Sequence, residues 1–501
     1  MSFEWDSDNR SFVTRARCPY PDCGQRTEPV HEDRVLGFCA HCQRTYESAL
    51  LAPSGGGAPV EWNLRADCAF NTFTGEALTR WSPQDWAEAG GGPRRTASQQ
   101  DPRGSVFGAP RGQAWFGLNE DWACESIAPE ESSDADHVVA VNVARGRVIA
   151  TTRRGRLGVA DLLTGELRTR RPLDWPAWPA PSAIDFPPLL RGTHICLAAP
   201  HQALFRDLAP QLFGSGNGRW RLVDPDSGTA FVGPPLSFGQ QVVLTQGRVS
   251  AGVLEEASLR LFDHTGEELG RHDANGIVRP PVVWKGQILW LDESGFITVA
   301  GQPTLPTEQV LDLRPSLLPT FCVAPGPDGR PELWLAHVKR GRGELVLSRA
   351  DLEQALERGE VRWRSRNLGN RGEPVGLAVG QGPATPRNAS SQLIAVATDT
   401  AVLSFPKDLA DAVELAAARG HESADRRGSW DSPIVCGAGV LARVPGSVQL
   451  LAQGLGWGLR RPEVAPLPVR YAERQGLALA GRRLVLGVGL GLKSFLLKET
   501  S

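Results

Sequence analysis

The feature that most constrains this chain is a unit that recurs along most of its length. Each copy contains a proline-led apolar strand, a short turn, a second apolar strand, and a third strand that ends in a glycine turn. Seven copies occupy residues 138–166, 187–208, 234–267, 280–299, 318–347, 374–405 and 433–452. A chain built this way buries its apolar strands by stacking successive copies against each other.

The spacing of the copies indicates the kind of repeat fold. Their starts lie roughly 40 to 60 residues apart, as expected for four-stranded blades. We therefore predict an all-β fold, a seven-bladed β-propeller. Helical spacing of leucine and alanine occurs at 351–358 and 407–419, and we interpret both segments as helical insertions between blades.

One turn of the repeat has a recognisable sequence. Residues 160–167 (ADLLTGEL) resemble the turn of the PQQ-like (quinoprotein-like) β-propeller, and looser copies occur at 223–229, 262–267 and 69–76. In this pattern an Asp or Asn side chain caps the turn while glycine takes a conformation that other residues avoid. The copy at 69–76 suggests that residues 60–80 add strands that close the ring against 477–493, which leaves an eighth, degenerate blade open.

The resemblance raises the question of whether this chain binds a quinone cofactor. Quinoprotein dehydrogenases share the repeat, but they have an adjacent cysteine pair near the quinone and a docking tryptophan after each Thr-Gly turn. Here the nine cysteines include no adjacent pair, and residues 167–170, 230–232 and 268–270 contain no tryptophan. We therefore expect no small-molecule cofactor, and we interpret the fifteen tryptophans as blade-packing and surface residues.

Four cysteines near the N-terminus have metal-ligand spacing: Cys18, Cys23, Cys39 and Cys42. Two such pairs supply the four thiolates that tetrahedral Zn²⁺ prefers, and the segment resembles a zinc ribbon, in which residues 27–38 would form a small hairpin. A site with four thiolates has no open coordination position, so the predicted zinc is structural. The first pair is separated by four residues instead of two, which leaves three alternative ligands open: Asp22, His31 and His41.

Composition divides the chain and limits its partners. We expect a zinc ribbon at 1–51, a flexible linker at 52–59, and the propeller at 60–501 with a mobile loop at about 90–112. Residues 1–50 contain six arginines, no lysine and eight acidic residues, which is a poor phosphate-binding surface. The net charge of −2 gives no global attraction to nucleic acid or to an anionic membrane. Protein partners are therefore favoured.

The remaining features concern location and activity. The start of the chain lacks the pattern of a secretory signal, no apolar run is long enough to span a membrane, and five cysteines are scattered singly, so we expect a cytoplasmic protein. His194, Cys196 and His201 lie close together in sequence, yet no carboxylate stands at a fitting spacing, and we interpret them as structural residues.

These observations favour a non-enzymatic protein-interaction scaffold or adaptor that acts within a multi-protein assembly. Two alternatives stay open. The first is a nucleic-acid-associated adaptor that uses the zinc ribbon. The second is an enzyme whose site lies in the propeller channel.

Overall fold

The structure of the protein is a computed structural model. It describes residues 115–127, 136–167, 186–208, 220–325, 330–381, 392–406 and 476–500, apart from a few turn residues, and the backbone of isolated strands elsewhere. None of the described helices is long and apolar enough to cross a membrane.

Two small antiparallel sheets precede the repeats. The first contains β1 (Ser2–Asp6), β2 (Ser11–Arg15) and β3 (Val30–His31), and the second contains β4 (Leu36–Cys39), β5 (Arg44–Ala49) and β6 (Asn63–Asn71). Because β3 and β4 belong to different sheets, the expected hairpin within 27–38 is wrong. The hairpin is formed instead by β4 and β5, with Cys39 opposite Arg44.

The repeats fold into antiparallel sheets that follow each other along the chain. Blade 1 contains β8 (Val138–Ala144), β9 (Arg147–Thr152) and β10 (Leu157–Asp161). Blade 2 contains β11 (Leu189–Arg191), β12 (His194–Ala199), β13 (Gln202–Asp207) and β14 (Trp220–Val223). Blade 3 contains β15 (Ala230–Phe231), β16 (Leu236–Phe238), β17 (Gln241–Ser250), β18 (Val253–Phe262) and β19 (Glu268–Asp273).

Three further blades continue this order. Blade 4 contains β20 (Val282–Trp284), β21 (Gln287–Leu291) and β22 (Ile297–Val299). Blade 5 contains β23 (Phe321–Pro325), β24 (Pro331–Val338), β25 (Leu345–Asp351), helix α1 (Leu352–Arg358) and β26 (Arg364–Asn367). Blade 6 contains β27 (Pro374–Gln381), β28 (Gln392–Thr398), β29 (Ala401–Pro406) and β30 (Val413–Ala417).

A seventh blade, termed the closing blade, joins the two ends of the repeat region. It contains β35 (Leu477–Ala480), β36 (Arg483–Val488), β37 (Gly491–Thr500) and, as its fourth strand, β7 (Trp115–Cys124) from the front of the chain. The ring is therefore closed by β7. The expectation that residues 60–80 close it is wrong, because β6 pairs with β5.

The all-β propeller predicted from the repeats is confirmed, with seven blades whose side chains are described. One more four-stranded sheet lies between blade 6 and the closing blade in chain order, with its backbone alone described. Its strands are β31 (Ile434–Cys436), β32 (Gly439–Val444), β33 (Ser447–Leu451) and β34 (Leu467–Pro468). It corresponds to the repeat copy at 433–452.

The core consists of apolar layers between neighbouring blades. Separate clusters of buried side chains join blades 1 and 2, blades 2 and 3, blades 3 and 4, blades 4 and 5, and blades 5 and 6. A further cluster contains residues of the closing blade, blade 1 and blade 6. Each sheet thus buries both faces against its neighbours, which explains why its strands are apolar on both sides rather than alternating.

The glycine turns link neighbouring blades as well as strands. In the turn after β10, Gly165 has φ +71° and a Cβ there would overlap the ring of Trp122 in β7. The Trp122 indole donates a hydrogen bond of 2.8 Å to the carbonyl of Leu162, and the Trp363 indole donates one of 2.9 Å to Gly295 in the turn of blade 4. These two tryptophans confirm the expected packing role, although they do not follow the turns in sequence.

The two predicted insertion helices have different outcomes. Helix α1 forms at 352–358, but it lies inside blade 5, between β25 and β26, and not between blades. The helix expected at 407–419 is wrong, because Val413–Ala417 is the outer strand of blade 6 and pairs with β29. Helical spacing in so short a segment is outweighed by the free edge of β29, which supplies backbone partners to a strand.

Candidate functional site

The predicted metal ligands fall outside the residues whose side chains are described. Cys18, Cys23 and Cys42 are not described, and Cys39 is known only as the last backbone residue of β4. β4 pairs with β5, and Cys42 lies in sequence between these two strands, outside the described residues. The zinc site therefore stays a prediction.

The sequence neighbours His194, Cys196 and His201 do not form one site. His194 begins β12, and its ring contacts that of His264 in the turn of blade 3, with 4.5 Å between the ring centroids. His201 lies beyond the other end of β12, and Cys196 is buried between them. Burial raises the pKa of the Cys196 thiol well above its usual value. The structural interpretation of Cys196 is thus consistent with its surroundings.

A cleft of about 580 Å³ lies in blade 5 beside helix α1, and we term it the blade-5 cleft. Its size falls within the range of small-molecule and peptide sites, but its walls are charged instead of apolar. Five arginines line it: Arg330, Arg349, Arg358, Arg362 and Arg364. Four carboxylates line it as well: Glu308, Glu332, Asp351 and Glu360.

Helix α1 is fixed firmly enough to form one wall of the cleft. The Asp351 side chain accepts a hydrogen bond from the Gln354 amide, which caps the first turn, and Gly359 ends the helix with φ +71°. Leu352 and Ala355 are buried in the cluster between blades 4 and 5. This anchoring leaves Arg358, in the last turn, on the exposed side of the helix.

The floor of the cleft contains two arginines that face each other across neighbouring strands. Arg349 in β25 and Arg364 in β26 are direct partners in the antiparallel register, so their side chains lie on the same face of the sheet. The guanidinium of Arg349 lies 5.8 Å from the ring centroid of Trp334, and it is 3.6 Å from the Glu332 carboxylate. Like charges in this register are destabilising unless an anion compensates them.

The carboxylates of the cleft already have partners. Besides the contact between Glu332 and Arg349, the Arg362 guanidinium is 3.5 Å from Glu308 and 3.6 Å from Glu360. Asp351 is used by the helix cap. Among the residues that the structure describes, the side chains of Arg358 and Arg364 make no hydrogen bond or ion pair. The uncompensated charge of the cleft is therefore positive.

Blade 3 contains a similar pair of facing arginines, but there carboxylates of the chain bind both of them. Arg260 in β18 and Arg271 in β19 are also direct register partners, and the Arg260 guanidinium lies 4.9 Å from the ring centroid of Phe262. Here Glu268 lies 2.5 Å from Arg260 and 3.2 Å from Arg271, and Asp226 lies 2.5 Å from Arg271. Two carboxylates of the chain thus compensate the two guanidinium groups.

The electrostatics of blade 3 follow from these contacts. The hydrogen bond from Arg271 lowers the pKa of Asp226 below its usual value, and a second hydrogen bond from Gln246 acts in the same direction. The pKa of Glu268 is also lowered, because the hydrogen bonds from Arg260 and Arg271 together outweigh the opposing effect of burial. The turn predicted at residues 223–229 is confirmed by the hydrogen bond from the Thr229 amide to the Asp226 carbonyl and by the positive φ of Gly228, and the Asp226 side chain binds Arg271.

A second polar cluster lies at the end of the blades where their first strands begin. Buried Arg279 donates to the Thr320 hydroxyl at 2.9 Å and to the carbonyls of Val278 and Arg314. Burial lowers its pKa to about 10. Burial, together with the nearby Arg279, lowers the pKa of His337 to about 4. Because Arg279 ties the connections of neighbouring blades together, we interpret this cluster as structural.

None of the arginines of the blade-5 cleft was singled out by its sequence. The available signal was the alternation of arginine at positions 362, 364 and 366, of which Arg364 and Arg366 lie on one face of β26. The pairing of Arg349 with Arg364 depends on the register between β25 and β26, which no single segment encodes.

Comparison with known proteins gives structural likenesses alone. The sequence matches no protein-family profile and no curated protein. Among solved structures, the chain resembles a quinohemoprotein alcohol dehydrogenase from Comamonas testosteroni, with 12% identity, a TM-score of 0.49, and coverage of 85% of this chain and 82% of that one. It also resembles BamB from Moraxella catarrhalis, with 12% identity, a TM-score of 0.44, and coverage of 76% and 100%.

A third resemblance is to the computationally designed protein Ika8, with 14% identity, a TM-score of 0.46, and coverage of 76% of this chain and 100% of that one. At TM-scores below 0.5, these likenesses carry no information about activity, cofactor or partner.

Proposed function

We propose that this protein is a non-enzymatic interaction scaffold in which the propeller holds protein partners and an N-terminal zinc ribbon adds a second contact. The observation that carries the proposal is the blade-5 cleft, whose exposed arginines are mounted on strands and on a capped helix. Arginine is enriched at protein interfaces because its fork of donors matches carboxylates and it loses little freedom on binding.

The ring itself supports a scaffolding role. β7 is the fourth strand of the closing blade, so backbone pairing joins the two ends of the repeat region, and opening the ring there would break this pairing. A rigid mount lowers the entropic cost of binding, because the contacting side chains are positioned before the partner arrives.

The proposed zinc ribbon depends on Cys18, Cys23, Cys39 and Cys42. The β4–β5 hairpin supports it, since a tight turn between Cys39 and Cys42 would direct both sulfurs to one point. A ribbon tethered to the propeller would add avidity to each partner bound at the blades. The cytoplasm, where single thiols stay reduced, is the proposed compartment.

Two experiments test these proposals separately. Affinity capture of the intact protein from its native cells, followed by identification of the co-purified chains, should return defined protein partners at stoichiometric levels. Capture of no protein would contradict the scaffold. Metal analysis should return one zinc per chain in the wild type and none in Cys39→Ser, whereas absence of zinc from the wild type would contradict the ribbon and leave the scaffold standing.

A further inference from the structure

The two arginine pairs of blades 3 and 5 differ in one respect, and this difference points to a ligand. Both place an inner arginine beside an aromatic ring and a second arginine directly opposite it on the outer strand. In blade 3 the pair is compensated by two carboxylates of the chain. In blade 5 only the inner arginine has an ion pair, at 3.6 Å.

The uncompensated outer position is surrounded by further cationic groups. The side chain of Arg364 makes no hydrogen bond or ion pair with any residue that the structure describes, and the same holds for the side chain of Arg358 on the wall formed by helix α1. Both residues are exposed, so an anion can reach them from solvent. Each guanidinium has a planar fork of N–H groups that can donate two parallel hydrogen bonds to one carboxylate.

From this geometry we infer that the blade-5 cleft binds an acidic segment of a partner protein, whose carboxylates occupy the positions that Asp226 and Glu268 fill in blade 3. The inference rests on the proposed scaffold function and names the chemistry of one partner. A carboxylate at Arg364 compensates the like-charged pair with Arg349, and a second one binds Arg358.

A peptide suits the cleft better than a nucleic acid. Glu308, Glu332 and Glu360 are part of its lining, and they repel a continuous phosphate backbone while tolerating separate carboxylates placed on the arginines. The cleft therefore selects a ligand whose negative charges are spaced apart.

Fluorescence anisotropy with the full chain and a labelled glutamate-rich peptide tests this inference. We expect saturable binding that weakens as salt is raised, and at least a tenfold weaker affinity in the Arg358→Gln/Arg364→Gln double variant, equivalent to about 1.4 kcal/mol. The matched control is Arg342→Gln, which removes one exposed arginine from the opposite end of blade 5 and should leave the affinity unchanged. Arg358→Lys/Arg364→Lys retains the charge, and an affinity between those of the wild type and the double variant supports recognition by the guanidinium forks.

Three results would overturn the inference: no binding of the glutamate-rich peptide to the wild type, equal affinity in the wild type and the Arg358→Gln/Arg364→Gln variant, or tighter binding of a labelled single-stranded oligonucleotide that competes with the peptide. Circular dichroism melting of each variant excludes unfolding as the cause of a loss. The scaffold proposal fails independently, if the intact wild-type protein captures no partner from cells.

Discussion

Blade 3 and blade 5 show how the same arrangement of arginines can serve stability in one place and binding in another. In blade 3, Asp226 and Glu268 complete the pair formed by Arg260 and Arg271, so the charges of the sheet are balanced by the fold itself. In blade 5 the side chain of the outer arginine, Arg364, has no such partner among the residues that the structure describes. A cluster of charged side chains on the surface therefore indicates a binding site when one of its charges lacks an opposite charge within the chain. The number of charges alone does not indicate one.

The largest difference is expected when the inner arginine of each pair is replaced. Arg260→Met removes a side chain that is 9% exposed, together with its hydrogen bonds to Glu268, to the Gln246 side chain and to the Asp224 carbonyl, so we expect a loss of about 3 kcal/mol in the free energy of unfolding. Arg349→Met removes one ion pair at 3.6 Å from a side chain that is 22% exposed, and we expect about 1 kcal/mol. Urea unfolding of both variants measures the difference, and equal losses would contradict the comparison.

Acidification should affect blade 3 through its two carboxylates. The pKa of Asp226 is lowered by its hydrogen bond to Arg271, and the pKa of Glu268 by those to Arg260 and Arg271, which together outweigh the opposing effect of burial. A carboxylate with a lowered pKa binds fewer protons in the folded state than in the unfolded state. Its stabilising effect is therefore complete above about pH 4 and is lost as the pH falls through the folded pKa.

The measurement compares the wild type with Asp226→Asn, which keeps the shape of the side chain but does not titrate. We expect the melting temperature of the wild type to fall below about pH 4 more steeply than that of the variant. If the two curves stay parallel down to pH 2 or so, the carboxylate of Asp226 has no role in compensating the arginine pair.

A smaller effect is expected from the outer arginine of blade 3. The Arg271 side chain is 41% exposed, so solvent screens its contacts with Asp226 and Glu268. We expect Arg271→Gln to lower the free energy of unfolding by less than about 1 kcal/mol. Arg248→Gln, which removes an exposed ion pair with Glu256 from the same blade, is the matched control. A loss in Arg271→Gln no larger than in this control would show that the network adds nothing to an isolated pair.

Much of the fold could be predicted from the sequence because each blade is a local unit. The first strands of blades 1 to 6 lie largely within the predicted repeat copies, whereas the outer strands β14, β19, β26 and β30 lie beyond them. The Asp-to-Gly turns adopt the expected conformation, as shown by Gly165 and Gly266 with positive φ. The closing strand was missed because residues 125–490 separate β7 from β37, and no local pattern specifies which distant segment pairs with a free strand edge.

The candidate site was harder to predict than the fold. The spacing of the cysteines in the sequence is enough to predict a metal site. The arginines of the blade-5 cleft come together only through the register between β25 and β26, which the sequence does not reveal. Arg349 and Arg364 are fifteen positions apart with a helix between them, and only the pairing of β25 with β26 brings them together. The sequence also does not show which carboxylate will pair with which arginine. Asp226 and Arg271, for example, form an ion pair although they are far apart in sequence.

The central claim is that Arg364 is held opposite Arg349 without compensation, and the unfolding free energy of Arg364→Glu tests it most directly. The new carboxylate would lie opposite Arg349, and an opposite-charge pair in this register should stabilise the protein by about 0.2 to 1 kcal/mol relative to the wild type. Arg271→Glu in blade 3, where the carboxylates are already present, should destabilise it. An increase in stability for Arg364→Glu together with loss of binding to the glutamate-rich peptide is the predicted result, and a decrease equal to that of Arg271→Glu would contradict the account.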